Sequence, residues 1–154
     1  MNKICVYVFL MCLMLTGCAT TGHLTTPSGR PEIFVEGATM KEVSDACVNL
    51  LLLIEGMQIE KTTVYVVHGS FPCKNPVTSF LLGSRAYPQA WQRLTFTFAP
   101  LGNGVKVFAT QYLVLNKGSG FEKVEENRTQ KIYEDSQKGL ERIRCMVFEN
   151  KRVK

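Results

Sequence analysis

The sequence contains no apolar run long enough to cross a bilayer as a helix, which takes about 20 residues. The longest candidate, from Ile4 to Leu15, falls well short of that length. The chain also has only two histidines, and its six cysteines include no pair with Cys-x-x-Cys spacing. A zinc site would therefore need an unusual set of ligands, and we expect no metal.

Short catalytic motifs are missing as well. No glycine-rich phosphate loop follows a strand pattern, and the sequence has no His-Glu-x-x-His, Gly-x-Ser-x-Gly or Ser-x-x-Lys motif. The carboxylate pairs Glu125-Glu126 and Glu134-Asp135 are adjacent residues, whose side chains diverge on a helix and favour a solvated face over acid–base chemistry. We therefore predict that the protein is not an enzyme and needs no cofactor.

The first eighteen residues have the pattern of an export signal. A single Lys3 precedes the apolar run, and small residues close it in the stretch Leu15-Thr16-Gly17-Cys18. This stretch resembles the lipobox of bacterial lipoproteins. The resemblance implies cleavage before Cys18, two acyl chains on its thiol and a third, such as palmitate, on its new amino group. Two chains already give stable membrane attachment. The alternative is an ordinary signal peptide with a coincidental cysteine.

The residue after the cysteine predicts the destination. In lipoproteins of enteric type, an Asp at that position retains the protein in the inner membrane, whereas this chain has Ala19. The resemblance therefore implies a lipid anchor in the cell outer membrane, with the domain facing the periplasm.

Four parts are expected along the chain. Residues 1–17 form the signal, and residues 18–30 form the lipidated cysteine and a flexible tether rich in threonine, glycine, serine and proline. Residues 31–148 form one domain, and residues 149–154 form a basic tail.

The composition is that of a folded domain, with 45% hydrophobic and 20% charged residues. The formal net charge is +5, and it falls by one if Lys3 is removed with the signal. A positive excess this small and scattered is compatible with anionic lipid head groups. It is a weak basis for nucleic-acid binding, so we expect no nucleic-acid partner.

The first half of the domain predicts a strand over residues 31–37, followed by a helix. Thr39 is placed as the N-cap, with Glu42 three residues later as its capping-box partner. Apolar residues then recur at helical spacing, and Gly56 is placed to end the helix in the left-handed conformation. Residues 57–71 predict either one long strand or two short ones.

The second half predicts a β-hairpin and a final helix. Apolar and polar residues alternate over 91–100 and 105–116, and the glycine-rich stretch 101–104 between them is a turn signal. Residues 117–120 are expected to end the sheet, and residues 127–148 to form the last helix. In the first hairpin strand, the residues expected to point into the core are Leu94, Phe96 and Phe98.

Three cysteines remain beside Cys18 once the signal is removed. Cys47 lies in the middle of the apolar stripe of the first helix, so we expect it to be buried and inert. Cys73 and Cys145 are expected off the core, which makes them the pair with a chance of forming a disulfide. Cys73 follows His68 by five residues, but a nucleophile pair would need a third group to orient the histidine, and none is evident.

The stretch from 72 to 90 contains three prolines and predicts an irregular loop. It either caps the open end of the core or binds another molecule. Apolar residues in it need something to dock onto, and residue types common at binding hot spots lie beside them. The predicted binding residues are Phe80, Leu81, Leu82, Ser84, Arg85 and Tyr87.

This order of elements resembles the helix-grip domains of periplasmic lipoproteins, including the lipoprotein C component of the β-barrel assembly machinery. Small bacterial lipoproteins of unassigned activity are more similar still, through residues 29–33, residues 81–85 and the two hairpin strands. The resemblance implies an α+β fold, with an antiparallel sheet of four or five strands and two helices on one face.

From these observations we expect a non-enzymatic accessory or partner-binding module, anchored at the membrane through Cys18 and able to meet an envelope protein. A carrier of a small apolar or amphipathic ligand, held between sheet and helices, is the alternative. A cavity of several hundred cubic ångströms there would favour the carrier, and a filled core would favour a partner surface.

Overall fold

A computed structural model of the chain describes residues 23–73 and 89–152. The predicted α+β class is confirmed, with an antiparallel sheet and two helices. The elements in chain order are β1 (Glu32–Glu36), α1 (Met40–Leu52), β2 (Gln58–Thr62), β3 (Val66–Pro72), β4 (Trp91–Leu101), β5 (Gly104–Leu115), β6 (Lys123–Glu126) and α2 (Gln130–Arg152).

All six of these strands belong to one sheet, in the order β1-β5-β4-β3-β2, with β6 also paired to β5. The long strand β5 pairs with β1 along residues 104–108 and with β6 along residues 112–115. Because β4 occupies the other edge of β5, β1 and β6 follow one another along a single edge.

Both helices pack against the same face of the sheet, since their inward side chains and those of the strands form one buried cluster. Phe96 and Phe98 of β4 belong to this cluster, and Leu94 packs at its border. The inward direction predicted from the alternation is therefore confirmed. We call the opposite face of the sheet the outer face; on β4 it carries Arg93 and Thr97.

Helix α1 begins at the predicted capping box. The backbone N–H of Glu42 donates to Thr39 Oγ1 at 3.2 Å, and the N–H of Thr39 donates to Glu42 Oε2 at 2.8 Å. The helix ends earlier than predicted, at Leu52, with Leu53 as a right-handed C-cap, because both leucines are exposed and the apolar stripe has ended. Gly56 does have a positive φ of 77°, but it lies in the turn before β2.

The three cysteines differ in their surroundings. Cys47 is fully buried in α1, as predicted, and burial raises the pKa of its thiol well above the ordinary value. Cys73 is also buried, which contradicts the expected position off the core; burial raises its pKa, although a hydrogen bond with Gln92 opposes the shift. Cys145 is exposed on α2, and all three are free thiols, so no Cys73–Cys145 disulfide is present.

Residues 57–71 were expected to form either one long strand or two short ones, and they form two, β2 and β3. The β4–β5 hairpin has a two-residue turn at Gly102 and Asn103, with Leu101 paired to Gly104. A Cβ at position 104 would lie 2.4 Å from the carbonyl oxygen of Val35. Glycine is therefore required there for β1 to pair closely with β5.

Helix α2 extends further than predicted, through Arg152, and it includes part of the expected basic tail. Lys151 Nζ donates to the carbonyl oxygen of Gly37 and lies 3.6 Å from Glu42 Oε2. The last turn of α2 is therefore attached to the loop before α1. The buried side of α2 is formed by Tyr133, Ser136, Leu140, Ile143 and Val147.

Strand β6 is the element that the sequence analysis did not predict. The glycine-rich stretch 117–120 forms a turn, but the sheet continues beyond it as the chain returns along β5. Lys123–Glu126 contains one apolar residue, Val124, so it lacks the alternation of a typical strand.

Residues 23–30, which the composition predicts to be a flexible tether, are folded onto the domain. The N–H of Leu24 donates to Gly29 O at 3.1 Å, and the N–H of His23 donates to Gln130 Oε1 at 2.9 Å. Gly29 is buried with φ of 69°, and a Cβ there would lie 2.8 Å from His23 Nε2. Only five residue steps therefore separate Cys18 from the first described residue.

We expect Phe96→Ala to lower the free energy of unfolding by about 3–5 kcal/mol, the usual cost of removing a core phenylalanine. Phe96 is 1% exposed and is among the largest fully buried side chains. The neighbouring Thr97→Ala is the matched control, because Thr97 is exposed on the outer face and surface changes usually cost less than about 1 kcal/mol. Urea unfolding of both variants would measure the difference, and equal losses would contradict the assignment of faces.

Candidate functional site

The residues predicted to bind a partner, from Phe80 to Tyr87, lie outside the described residues, as does Cys18. The residues on either side of the loop are described. Pro72 pairs with Trp91, and Trp91 pairs with Val114 near the end of β5. We call this the loop end of the sheet. The opposite, hairpin end carries the β2–β3 and β4–β5 turns.

A cluster of charged side chains, built around Glu60, lies on the outer face. Gln58 pairs with Ser70 and Ile59 packs against the core, so regular alternation along β2 places Glu60 on the outer face. The register with β3 then shifts at a β-bulge between Ile59 and Lys61. Glu60 therefore shares the outer face with residues from β3 and β4.

The Glu60 carboxylate has three close partners. Ser70 Oγ donates to Glu60 Oε1 at 2.5 Å, Lys117 Nζ lies 2.7 Å from the same oxygen, and Arg93 Nε donates to Oε2 at 3.0 Å. The side chains of Glu60, Arg93 and Lys117 are each about four-fifths buried, at 21%, 19% and 18% exposure. Charged groups removed from water to this extent need such pairing, because desolvation otherwise disfavours the folded state.

The Glu60 cluster also fixes the turn between β5 and β6, residues 116–122. Lys117 belongs to this turn, and its ammonium lies 3.8 Å from the centre of the Trp91 ring. Glu122 at the other end of the turn accepts a hydrogen bond from Arg93 Nη2 at 3.2 Å. The turn is therefore held to the sheet at both of its ends by charged contacts.

Electrostatics at the Glu60 cluster favour the ionised carboxylate. Burial raises the pKa of Glu60, but hydrogen bonds from Lys117 and Ser70 and the charges of Arg93 and Lys117 lower it, and the net effect is a pKa below the ordinary value. Burial and the positive charge of Arg93 lower the pKa of His68, although Glu60, 3.8 Å away, opposes this. The net effect favours the neutral form of the His68 imidazole.

The groups of the Glu60 cluster that could react are engaged with one another. Lys117 Nζ is within hydrogen-bonding distance of Ser70 Oγ, a pairing that serine nucleophiles can use. Here Ser70 is fully buried, and the ammonium of Lys117 also pairs with Glu60. His68 and Cys73 are five positions apart, and side chains an odd number of residues apart along an extended strand point to opposite faces of the sheet. They therefore form no nucleophile pair.

A second feature is a cavity of about 160 Å³ between the sheet and the two helices, toward the loop end. Its walls are mostly apolar, from residues such as Leu50, Phe71 and Leu94, and its polar lining comes from Gln111, Asp135 and Ser136. A cavity of about 150 Å³ holds one benzene molecule, whereas typical ligand pockets measure about 300–1,000 Å³. The cavity therefore falls short of the several hundred cubic ångströms that would favour a carrier of a small apolar or amphipathic ligand.

The hairpin end carries exposed apolar side chains. Val64 and Tyr65 in the β2–β3 turn are 61% and 60% exposed, and Leu101 in the β4–β5 hairpin is exposed as well. A groove of about 390 Å³ lies beside them, between the first turns of α1 and residues 62–64. Apolar side chains that are exposed to solvent rather than packed in the core often take part in protein–protein contacts.

Comparisons with protein-family models, curated proteins and solved structures find no match to this chain. Within residues 23–73 and 89–152, neither helix combines the length and apolarity needed to cross a bilayer. The same ranges contain no group of three or more His, Cys, Asp or Glu residues arranged to hold a metal ion.

The sequence analysis did not identify the Glu60 cluster, because its members come from separate strands. Lys117 and Glu122 stand at either end of a glycine-rich turn, and their opposite charges are the signal that could have indicated an anchored turn. The strand register that aligns Glu60 with Ser70 and Arg93 has no comparable signal in the sequence.

We expect Glu60→Gln to lower the free energy of unfolding at pH 7 by about 1–3 kcal/mol, because it leaves two buried cations without their carboxylate. The loss depends on pH. A carboxyl whose pKa is lowered on folding stabilises the protein above its ordinary pKa of 4.5 and loses that contribution as the pH falls through the folded-state value. Chemical unfolding between pH 7 and pH 3 should therefore show the gap between wild type and Glu60→Gln narrowing at low pH.

The matched control is Glu125→Gln, since Glu125 is half exposed and its ion pair with Lys123 lies on the surface. Exposed pairs contribute about 0–1 kcal/mol, so this variant should unfold almost as wild type does. A Glu60→Gln loss that stays constant across the pH range would mean that the charge of Glu60 is unimportant for stability.

Proposed function

We propose that the protein is a lipoprotein anchored in the outer membrane through Cys18, with its domain acting in the periplasm as a non-enzymatic partner-binding module. The observation that carries this proposal is the stretch Leu15-Thr16-Gly17-Cys18 at the end of a short apolar run, followed by Ala19. His23, five positions after Cys18, is hydrogen-bonded to Gln130 of the domain, so the proposed anchor and the folded domain are close along the chain.

Two structural features support binding over catalysis. The nucleophilic and charged groups on the outer face are engaged with one another in the Glu60 cluster. Exposed apolar residues at the hairpin end, among them Tyr65 and Leu101, offer a surface of the kind that protein partners bind.

Cys18→Ala should abolish membrane attachment, because it removes the atom that would carry the lipid. Fractionation of cells after a high-salt wash would measure it, with the wild-type protein in the membrane fraction and the variant soluble or uncleaved. Cys145→Ala is the matched control, since Cys145 is an exposed free thiol on α2. Retention of Cys18→Ala in the washed membranes would contradict the proposed anchor.

A photo-crosslinking residue at Tyr65 should capture an envelope protein in intact cells, because Tyr65 is exposed at the hairpin end. The same residue at Lys138 is the control, since the Lys138 side chain is 78% exposed on the outward side of α2. A crosslinked band at position 65 that is missing at position 138 would support a partner surface. Equal capture at both positions, or none at position 65, would contradict it.

A second candidate function is the binding of a small apolar molecule in the cavity between the sheet and the helices. The cavity itself favours this possibility, since its polar lining from Gln111, Asp135 and Ser136 could orient a ligand. Its volume of about 160 Å³ restricts such a ligand to the size of a single ring unless the helices move apart.

A further inference from the structure

The turn of residues 116–122 presents a large apolar side chain to solvent at the loop end. Phe121 is 86% exposed, more than any other large hydrophobic residue among those described. Burial of a phenylalanine side chain is favourable in free energy relative to its exposure to water. This degree of exposure therefore points to a contact with another molecule.

The turn is not a loose loop on which a phenylalanine happens to be exposed. The N–H of Phe121 donates to Ser119 Oγ at 3.1 Å, and the N–H of Gly118 donates to Glu122 Oε2 at 2.9 Å. Asn116 takes a left-handed conformation, with φ of 53°, that begins the turn. The contacts of Lys117 and Glu122 with the Glu60 cluster then hold the turn against the sheet, so Phe121 is displayed in a fixed position.

The position of the N-terminal segment limits how far this turn can be from the lipid anchor. His23 is bound to the side chain of Gln130, the first residue of α2. Five residue steps between Cys18 and His23 span at most about 17 Å. Eight residue steps lead from Glu122 at the end of the turn, through β6, to Gln130, and they span at most about 27 Å. The turn and the anchored cysteine therefore both lie within a few tens of ångströms of the start of α2.

We propose that Phe121 inserts into the phospholipid surface beside the lipid anchor. This inference rests on the proposed lipidation of Cys18. The neighbours of Phe121 fit an interfacial position, because Val124 is 44% exposed and the Lys123 side chain is 65% exposed. An aromatic side chain enters the boundary between head groups and acyl chains, and the surface ion pair of Lys123 with Glu125 lies beside it, where polar head groups solvate it.

A membrane contact at the loop end also gives the domain an orientation. The lipid and Phe121 are two separate points of attachment, so rotation of the domain about a single tether is restricted. The hairpin end, with Tyr65 and Leu101, then points away from the bilayer, where a periplasmic partner can reach it.

The test uses the mature, lipidated protein in vesicles of phosphatidylethanolamine, phosphatidylglycerol and phosphatidylcholine. Phe121→Trp places a fluorophore at the tip of the turn, and vesicles with brominated acyl chains quench tryptophans that enter the bilayer. Leu101→Trp is the matched control, because Leu101 is an exposed apolar residue in a turn at the hairpin end. The native Trp91 provides the common background in both variants.

We expect Phe121→Trp to lose fluorescence in brominated vesicles relative to unbrominated ones and to shift its emission to shorter wavelength, while Leu101→Trp shows only the Trp91 background. Quenching absent at position 121, or equal at both positions, would overturn the proposal. Flotation of the same samples distinguishes the proposed membrane contact of Phe121 from the proposed lipid anchor at Cys18. Protein that floats without quenching at position 121 retains the anchor and lacks the contact, whereas wild-type protein that fails to float refutes the anchor itself.

Discussion

The carboxylate of Glu60 is the point on which the outer face of the sheet depends. It joins Ser70 of β3, Arg93 of β4 and Lys117 of the turn after β5, so one side chain connects four segments of the chain. With about four-fifths of its side chain out of water, the charge has to be paired. Through Lys117 and Arg93, the Glu60 carboxylate therefore helps to hold the 116–122 turn, and with it Phe121, against the sheet.

The parts of the fold that the sequence predicted are those fixed by local patterns. The capping box at Thr39 and Glu42, the alternation that places Phe96 inward and the turn before Gly104 all depend on neighbours in the chain. By contrast, Ser70 and Arg93 reach Glu60 across separations of 10 and 33 residues. Contacts at such separations depend on strand register, which a single sequence does not reveal.

The sequence analysis also did not predict strand β6 or the order of residues 23–30. Both segments are ordered by backbone hydrogen bonds rather than by apolar side chains. Strand β6 forms because β1 covers only part of one edge of β5, and the remaining N–H and C=O groups can pair with almost any sequence. Residues 23–30 are ordered by their own backbone contacts and by Gln130. The binding residues predicted between Phe80 and Tyr87 stay a prediction, although Pro72 and Trp91 place the start and end of their loop near the 116–122 turn.

Under the proposed lipidation of Cys18, the short link before His23 has a consequence for the frequency of encounters at the membrane. A link of a dozen extended residues would allow the domain to explore a hemisphere of about 40 Å radius, whereas a link of five would allow about 17 Å. Because accessible volume varies with the cube of the radius, the proposed anchor would confine the domain to a volume roughly ten times smaller. Its effective concentration toward any molecule embedded in the same patch of bilayer rises in proportion, so weak contacts, each too feeble for association in solution, can be occupied there.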